Sequence, residues 1–259
     1  MSFVAKLRAD PKRELWFAWY STVGFYSLYT VVFFILTRTQ PPGKPWASPE
    51  MTVEWFDGRR WGLLVGFGLT FVLGGWSVTA LALITYSIRR MSVSRVFAYS
   101  YLVLYLVAGI PGFLLICVAM TTGAMRPERA AEQQQLLYDI GFLSFSGTMG
   151  VFLIGSLVWM AAILLDRNRV FPKWFAYLNL CNAMTEVVIA PSWIFQRGVL
   201  AWNGVIGWWI DVVVFGIYTG VFIYLLRDMV LREDFGTGPL PPIEPAERRR
   251  FHPLAWVVR

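Results

Sequence analysis

Charge, histidine and cysteine are all scarce in this sequence of 259 residues. Charged residues make up 15% of the chain, whereas a typical soluble domain has about 25%. The only histidine, His252, lies in a polar C-terminal segment, which argues against a haem held by two membrane histidines and against a histidine-rich metal site. The two cysteines, Cys117 and Cys181, both lie in apolar stretches and predict neither a disulfide framework nor a metal knuckle. We therefore expect no metal and no cofactor.

The signatures of common catalytic sites are missing as well. No glycine-rich phosphate loop follows a strand, no helix carries a His–Glu metal motif, and a single histidine in the tail argues against a Ser–His–Asp arrangement. The net charge of +7 does not form a basic face, because the arginines separate apolar stretches. We therefore assign no catalytic residue and expect no nucleic-acid partner.

Apolar residues, in contrast, make up 57% of the chain. About 20 apolar residues in a helix cross about 30 Å of hydrocarbon, and about six stretches meet that criterion. The sequence thus predicts an all-α, polytopic transmembrane bundle with the lipid bilayer as its first partner. The predicted spans are about 15–36, 61–88, 96–120, 135–165, 174–195 and 203–226 within a membrane domain of residues 15–232. Residues 1–14 form a predicted N-terminal segment, and residues 233–259 form a tail rich in proline and arginine that cannot fold alone.

The basic residues indicate how the chain is threaded. Those in the first segment, in alternate connections and in the tail are more than twice as numerous as those in the other connections. By the positive-inside rule, both termini are predicted to be cytoplasmic, which agrees with an even number of spans. In the longest external connection, residues 38–60, the sequence Ser48-Pro49-Glu50 predicts the start of a short helix: an N-cap, a proline at the first helical position and an acid in the first turn.

Small residues at helical spacing predict where helices pack closely, since hydrophobic drive between helices is weak in lipid. The second span has Gly62, Gly66 and Gly74 on one face, and the sixth span has Gly216 and Gly220. These glycines predict a compact bundle and do not by themselves predict a function.

The fifth predicted span carries an unusual polar face. Asn179, Asn182, Glu186 and Trp193 share one side of the helix, and the rest of the helix is apolar. A charge facing lipid is costly, so this face is expected to look into the bundle. At 1.5 Å per residue, Glu186 lies about 12 Å from the external end of its span.

The sixth span runs in the opposite direction and carries Asp211, also about 12 Å from its external end. Because helices joined by a short loop pack as neighbours, Glu186 and Asp211 are expected at one depth and in one chamber. Tyr218 lies on the Asp211 face, and Asp139, near the external start of the fourth span, is a candidate third wall. Two like charges in a low dielectric cannot both stay ionised, so at least one carboxyl is expected to hold a proton near neutrality. Two interpretations remain open: the acids bond to each other or to the asparagines and hold helices together, or they line a functional chamber.

Three segments carry a resemblance to a known family: "YDIGF" at 138–142, "LLDRNRVFPKWFAYLNLCNAM" at 164–184, and "GVLAWNGVIGWW" at 198–209. They are similar to a family of six-span bacterial inner-membrane proteins that carry an "FP-basic-W…YxN" turn and an "AWNG" start to the last helix. The resemblance implies a bacterial inner-membrane, multi-pass protein. The family has no assigned activity, and Glu186 and Asp211 lie outside its motif. The matched positions are Asp139, Phe171, Pro172, Trp174, Asn179, Trp202, Asn203 and Gly204.

Three functional hypotheses follow. The first in rank, because catalytic signatures are missing, is an accessory or structural subunit that packs against other membrane subunits, or against copies of itself, through its glycine faces. The second is a binder or carrier of a lipophilic or weakly cationic small molecule, held near Glu186 and Asp211. A distant third is an enzyme in which a carboxylic acid protonates an isoprenoid-like substrate while tryptophan faces stabilise the cation. A cavity at Glu186 would favour the second and third hypotheses, whereas a solid bundle would favour the first.

Overall fold

The computed structural model describes residues 11–147, 150–236 and 238–241, and within these ranges the chain is helical and has no strand. Most of the predicted terminal segments, including His252, lies outside these ranges. The α-helices are α1 (Lys12–Thr30), α2 (Pro49–Asp57), α3 (Arg60–Leu73), α4 (Trp76–Arg89), α5 (Arg95–Leu104), α6 (Ile110–Met125), α7 (Ala131–Gly147), α8 (Gly150–Leu165), α9 (Trp174–Ile189) and α10 (Ile210–Arg232).

Three helical stretches are long and apolar enough to cross a membrane. Two of them extend an α-helix through a π-helical turn, and one joins α5 to α6 through such a turn, so their hydrogen-bonding pattern changes without a break in the helix. The stretches are Lys12–Leu36, Arg95–Met125 and Val205–Arg232. They correspond to the predicted first, third and sixth spans.

The other predicted spans are less regular. α3 and α4 form one candidate span only as a pair bent by 45°, where Gly74 and Gly75 interrupt the helix. Glycine is a poor helix former, which explains a break that the apolar composition of 61–88 conceals. The predicted fourth span corresponds to α7 and α8, and residues 148–149 between them lie outside the described ranges. The predicted fifth span is the 16-residue α9, followed by a 3₁₀ turn, Ala190–Trp193, that contains Pro191.

The short helix in the long connection is confirmed. α2 begins at Pro49, and the side chain of Ser48 accepts a hydrogen bond from the backbone N–H of Met51 at 3.3 Å. The Ser48 hydroxyl also donates to the Glu50 carboxylate at 2.7 Å, and this hydrogen bond lowers the pKa of Glu50. Proline at the first helical position and an acid in the first turn thus act as the sequence predicts.

The glycines of the second and sixth spans behave differently. A Cβ at Gly62 would collide with the carbonyl oxygen of Leu36, and a Cβ at Gly66 would lie 2.7 Å from Cγ2 of Thr37, so α3 packs tightly on the end of the first helix. Gly74 has its close contact within its own helical stretch, at the carbonyl of Thr70. At Gly216 and Gly220 a Cβ would meet no described atom within 4 Å, which corrects the expectation that these two glycines pack inside the bundle. They lie on an exposed side of α10.

The connections between helices meet in two groups. In one group, Arg90 donates to the Glu233 carboxylate at 2.8 Å, and the Asp166 carboxylate accepts from the backbone N–H of Ser92 at 2.7 Å. These contacts join the α4–α5 and α8–α9 connections to the end of α10. In the other group, the Trp202 indole donates to the carbonyl of Gly43 at 2.7 Å, which joins the α1–α2 connection to the segment before α10.

Two buried apolar clusters lie under these groups. One is built mainly from α4, α5, α8, α9 and α10 and centres on Trp159, whose ring meets those of Phe175 and Phe222 edge to face. The other is built mainly from α1, α3, α6 and α7 with α2, and it contains Phe33 and Phe67. Neighbouring helices also pack in pairs, α8 with α9, α6 with α7 and α1 with α4.

Candidate functional site

The polar face of α9 points into the protein. Asn179, Asn182 and Glu186 are 0%, 4% and 5% exposed, whereas Met184 and Val187 on other sides of the same helix are largely exposed. The 3.6-residue period of the helix places the small and polar positions together and turns them away from the surface. This arrangement agrees with the expectation that the acid on this helix looks inward.

Asp211 approaches the same region from the first turn of α10, where it is 7% exposed. Thr185 joins the two helices, because its hydroxyl lies 2.7 Å from the Asp211 carboxylate and also 2.7 Å from the carbonyl of Asn182. A second link lies one layer away, where the Tyr218 hydroxyl donates to Oδ1 of Asn179 at 2.9 Å.

A cavity of about 420 Å³ lies inside the bundle and is lined by residues of α9 and α10, of α1 and of α3 to α8. Its volume falls within the range of about 300–1,000 Å³ that is typical of small-molecule sites. Glu186, Asp211, Asn182 and Tyr218 all line it. Most of the remaining wall is aromatic or aliphatic, and the aromatic part includes Tyr26, Tyr29, Tyr105, Phe113, Trp208 and Phe215.

Two polar atoms on the α9 wall of the cavity have no hydrogen-bond partner in the described part of the protein. Oε2 of Glu186 and Oδ1 of Asn182 are buried and have no hydrogen-bond partner among the described residues. The two side chains do not bond to each other, and Asp211 is held by Thr185 rather than by Glu186. Buried polar atoms are normally paired, so these two atoms are available to a molecule in the cavity.

Three residues expected at the site are not in the cavity wall. Trp193 is 58% exposed and is not in the cavity wall, because the 3₁₀ turn after α9 changes the direction of its side chain. Asp139 is half-buried on α7 and is also outside the wall. Asn179 lies behind the wall and supports Tyr218 instead of facing the cavity.

Sequence reasoning missed several residues that shape the site. Thr185 lies beside Glu186 in the chain, but a hydroxyl in an apolar helix gives no sign of its contact with Asp211. Tyr26 and Tyr29 enter the wall from α1, and their spacing along that helix is the only signal that they share a face. α1 lies beside α10 in the folded protein, and spacing along one helix does not predict which helices become neighbours.

The electrostatic character of the cavity is acidic. Its described wall contains two carboxyl side chains and no lysine or arginine. In the part of the chain that the structure covers, no cluster of three metal-ligand side chains is found. The aromatic rings present negative π-faces, which attract a cation as the carboxyl groups do.

Comparison of the chain with protein-family models, with curated proteins and with solved structures gave no significant match.

Proposed function

We propose that this protein binds a lipophilic, cationic small molecule in the cavity that Glu186 of α9 and Asp211 of α10 line. The observation that carries the proposal is the presence of two buried carboxyl side chains, Glu186 and Asp211, on one aromatic cavity of about 420 Å³. A neutral apolar ligand would leave the free oxygen of Glu186 unpaired, whereas a cation would pair with it.

The charge balance of the site favours a cation over an anion. Two neighbouring carboxylates repel each other when both are ionised, and no basic side chain in the described wall offsets them. A bound cation supplies that missing positive charge. Tyr26 and Tyr29 add rings on which an ammonium or phosphonium group can rest, as cation–π contacts within about 6 Å of a ring centroid do elsewhere.

Tetraphenylphosphonium is a suitable probe, because tetraphenylborate has nearly the same shape and the opposite charge. Binding would be measured by titration calorimetry on the protein in phosphatidylcholine nanodiscs. We expect one tetraphenylphosphonium per chain and no specific binding of tetraphenylborate. Glu186→Gln combined with Asp211→Asn should weaken binding at least about tenfold, equivalent to about 1.4 kcal/mol.

Asp139→Asn is the matched control, since it removes an acid that lies outside the cavity wall. It should leave the affinity for tetraphenylphosphonium unchanged. Equal binding of the phosphonium and the borate, or full affinity in the double variant, would contradict the proposal.

We also propose that the chain spans a bacterial inner membrane six times with both termini in the cytoplasm. Support comes from the two groups in which the connections meet. The arginine-rich connections are joined by contacts of Arg90, Asp166 and Glu233. The connections that alternate with them are joined by the contact between Gly43 and Trp202, which agrees with the positive-inside rule. Threading can be tested with an impermeant maleimide on spheroplasts, in a chain whose native cysteines are replaced by serine. Arg197→Cys should be labelled and Arg167→Cys should not; the reverse pattern would overturn this topology.

A second candidate function is that of a subunit in a larger membrane assembly. The observation that favours it is the exposed side of α10, where Gly216 and Gly220 have no described neighbour and Val213 and Ile217 are more than half exposed. Small residues spaced by four let another helix approach closely. Co-purification of the untagged protein tests this candidate, which fails if the protein runs alone as a monomer.

A further inference from the structure

Gln40 has a buried side-chain amide that makes no hydrogen bond to the described residues. It follows the π-helical turn at the end of the first helical stretch, and its side chain is 5% exposed. Its backbone N–H donates to the carbonyl of Phe33 at 3.1 Å, so the backbone is held in place. Both side-chain atoms, Oε1 and Nε2, are buried and lack a partner in the described part of the chain.

The Gln40 side chain lines the same cavity as Glu186 and Asp211, but from another wall. It comes from the connection after α1, whereas the two acids come from α9 and α10; Thr70 of α3 also lines the cavity. The Thr70 hydroxyl is already bonded to the carbonyl of Gly66 at 3.0 Å. Gln40 is therefore an open donor and an open acceptor on a largely apolar surface.

Leaving both halves of a buried amide unpaired is costly, and native proteins rarely do so without a reason. The side chain adjoins the cavity, so a ligand can reach it. An amide presents a donor and an acceptor side by side. A complementary ligand group is one that offers both, such as a primary carboxamide, a urea or a hydroxyl.

We propose that Gln40 forms a second polar subsite, which binds an uncharged hydrogen-bonding group at one end of a ligand whose cationic end lies at Glu186 and Asp211. This inference rests on the proposed function and narrows the ligand class to lipophilic cations with a polar, uncharged second end. The apolar wall between the two subsites accommodates the hydrocarbon part.

The test uses pairs of alkyltrimethylammonium ions with hexyl, octyl and decyl chains, each ending in either a methyl group or a primary carboxamide. Each ion competes with tetraphenylphosphonium for the protein in nanodiscs. At the chain length that spans the two subsites, the carboxamide should bind about fivefold more tightly than its methyl counterpart. The N,N-dimethylcarboxamide, which has lost its donor, should lose much of that advantage.

Gln40→Met removes the amide and keeps a similar shape, so it should abolish the carboxamide advantage, measured as the ratio of carboxamide to methyl affinities within the variant. Gln133→Met, at an exposed position of α7, is the matched control and should keep that advantage. The wild-type comparison decides the question even if Gln40→Met does not fold.

The Gln40 subsite would be overturned if carboxamide and methyl ions bound with equal affinity at every chain length, or if the carboxamide advantage survived in Gln40→Met. Binding of tetraphenylphosphonium to the wild-type protein would still support the cavity as the binding site. If the wild-type protein does not bind tetraphenylphosphonium, the proposed function falls and this inference falls with it.

Discussion

Replacing Glu186 by leucine should make the protein more stable and weaken its binding of a lipophilic cation. The carboxyl group is 5% exposed, and its Oε2 has no hydrogen-bond partner among the described residues. Burying an unpaired polar group costs about 1–3 kcal/mol by mutational measurements. Leucine has a similar size and removes that cost, so the free energy of unfolding should rise by up to about 1–3 kcal/mol.

The assay is thermal or denaturant unfolding of the purified protein in one lipid or detergent system, followed by tetraphenylphosphonium titration. This variant separates the two interpretations of the buried acids. If Glu186 held α9 to its neighbours, leucine would lower the free energy of unfolding. A decrease of more than about 1 kcal/mol, the usual net value of one hydrogen bond, would refute the view that Glu186 is kept for a ligand.

Thr185→Val supplies the comparison with the opposite sign. The Thr185 hydroxyl is 2.7 Å from the Asp211 carboxylate, so valine removes a bond between α9 and α10 and leaves Asp211 with one partner fewer. The free energy of unfolding should fall by about 1–2 kcal/mol. If leucine at Glu186 and valine at Thr185 shifted stability in the same direction, the assignment of one residue to the ligand and the other to the fold would fail.

Two further predictions concern the fold that supports the cavity. Arg90→Met leaves the fully buried carboxylate of Glu233 without its cation, so it should lower the free energy of unfolding by about 3–5 kcal/mol. Adding Glu233→Gln should restore most of that loss. Unfolding of the single and double variants measures both values, and no recovery in the double variant would contradict the prediction. Gly62→Val forces a Cβ into the carbonyl oxygen of Leu36, so it should lower the free energy of unfolding by at least about 1–3 kcal/mol. Gly68 faces open space, so Gly68→Val should lower it by less than about 1 kcal/mol. Equal melting temperatures for the two variants would contradict the close packing at Gly62.

Local patterns in the sequence predicted those parts of the fold that depend on local physics. The helix after Ser48 is present because capping, proline and charge all act within one turn. The expectation that Glu186 and Asp211 meet followed from counting residues along two neighbouring helices, and the structure places both side chains on one cavity. Their role in binding a ligand stays a prediction.

The parts that sequence analysis missed depend on lateral packing. Trp193 was expected at the cavity because helical spacing places it on the Glu186 face, but the 3₁₀ turn after α9 breaks that spacing. Asp139 was expected there because it lies near the external start of its span, but position along a helix does not give the direction in which a side chain points. Gln40 and Tyr26 reach the wall from the first helical stretch and the residues that follow it, whose place beside α10 is set by contacts between distant parts of the chain. The exposed position of Gly216 has the same origin, since a small residue permits close packing without determining which helix comes close.

The most direct test of the central claim is to locate the cation itself. Tetraphenylarsonium has the shape and charge of tetraphenylphosphonium, and its arsenic atom gives an anomalous X-ray signal in crystals of the protein with the bound ion. The account predicts one strong arsenic peak inside the cavity, between the carboxyl groups of Glu186 and Asp211 and within about 6 Å of an aromatic ring centroid. A well-occupied peak at any other place on the protein, with none in this cavity, would contradict it.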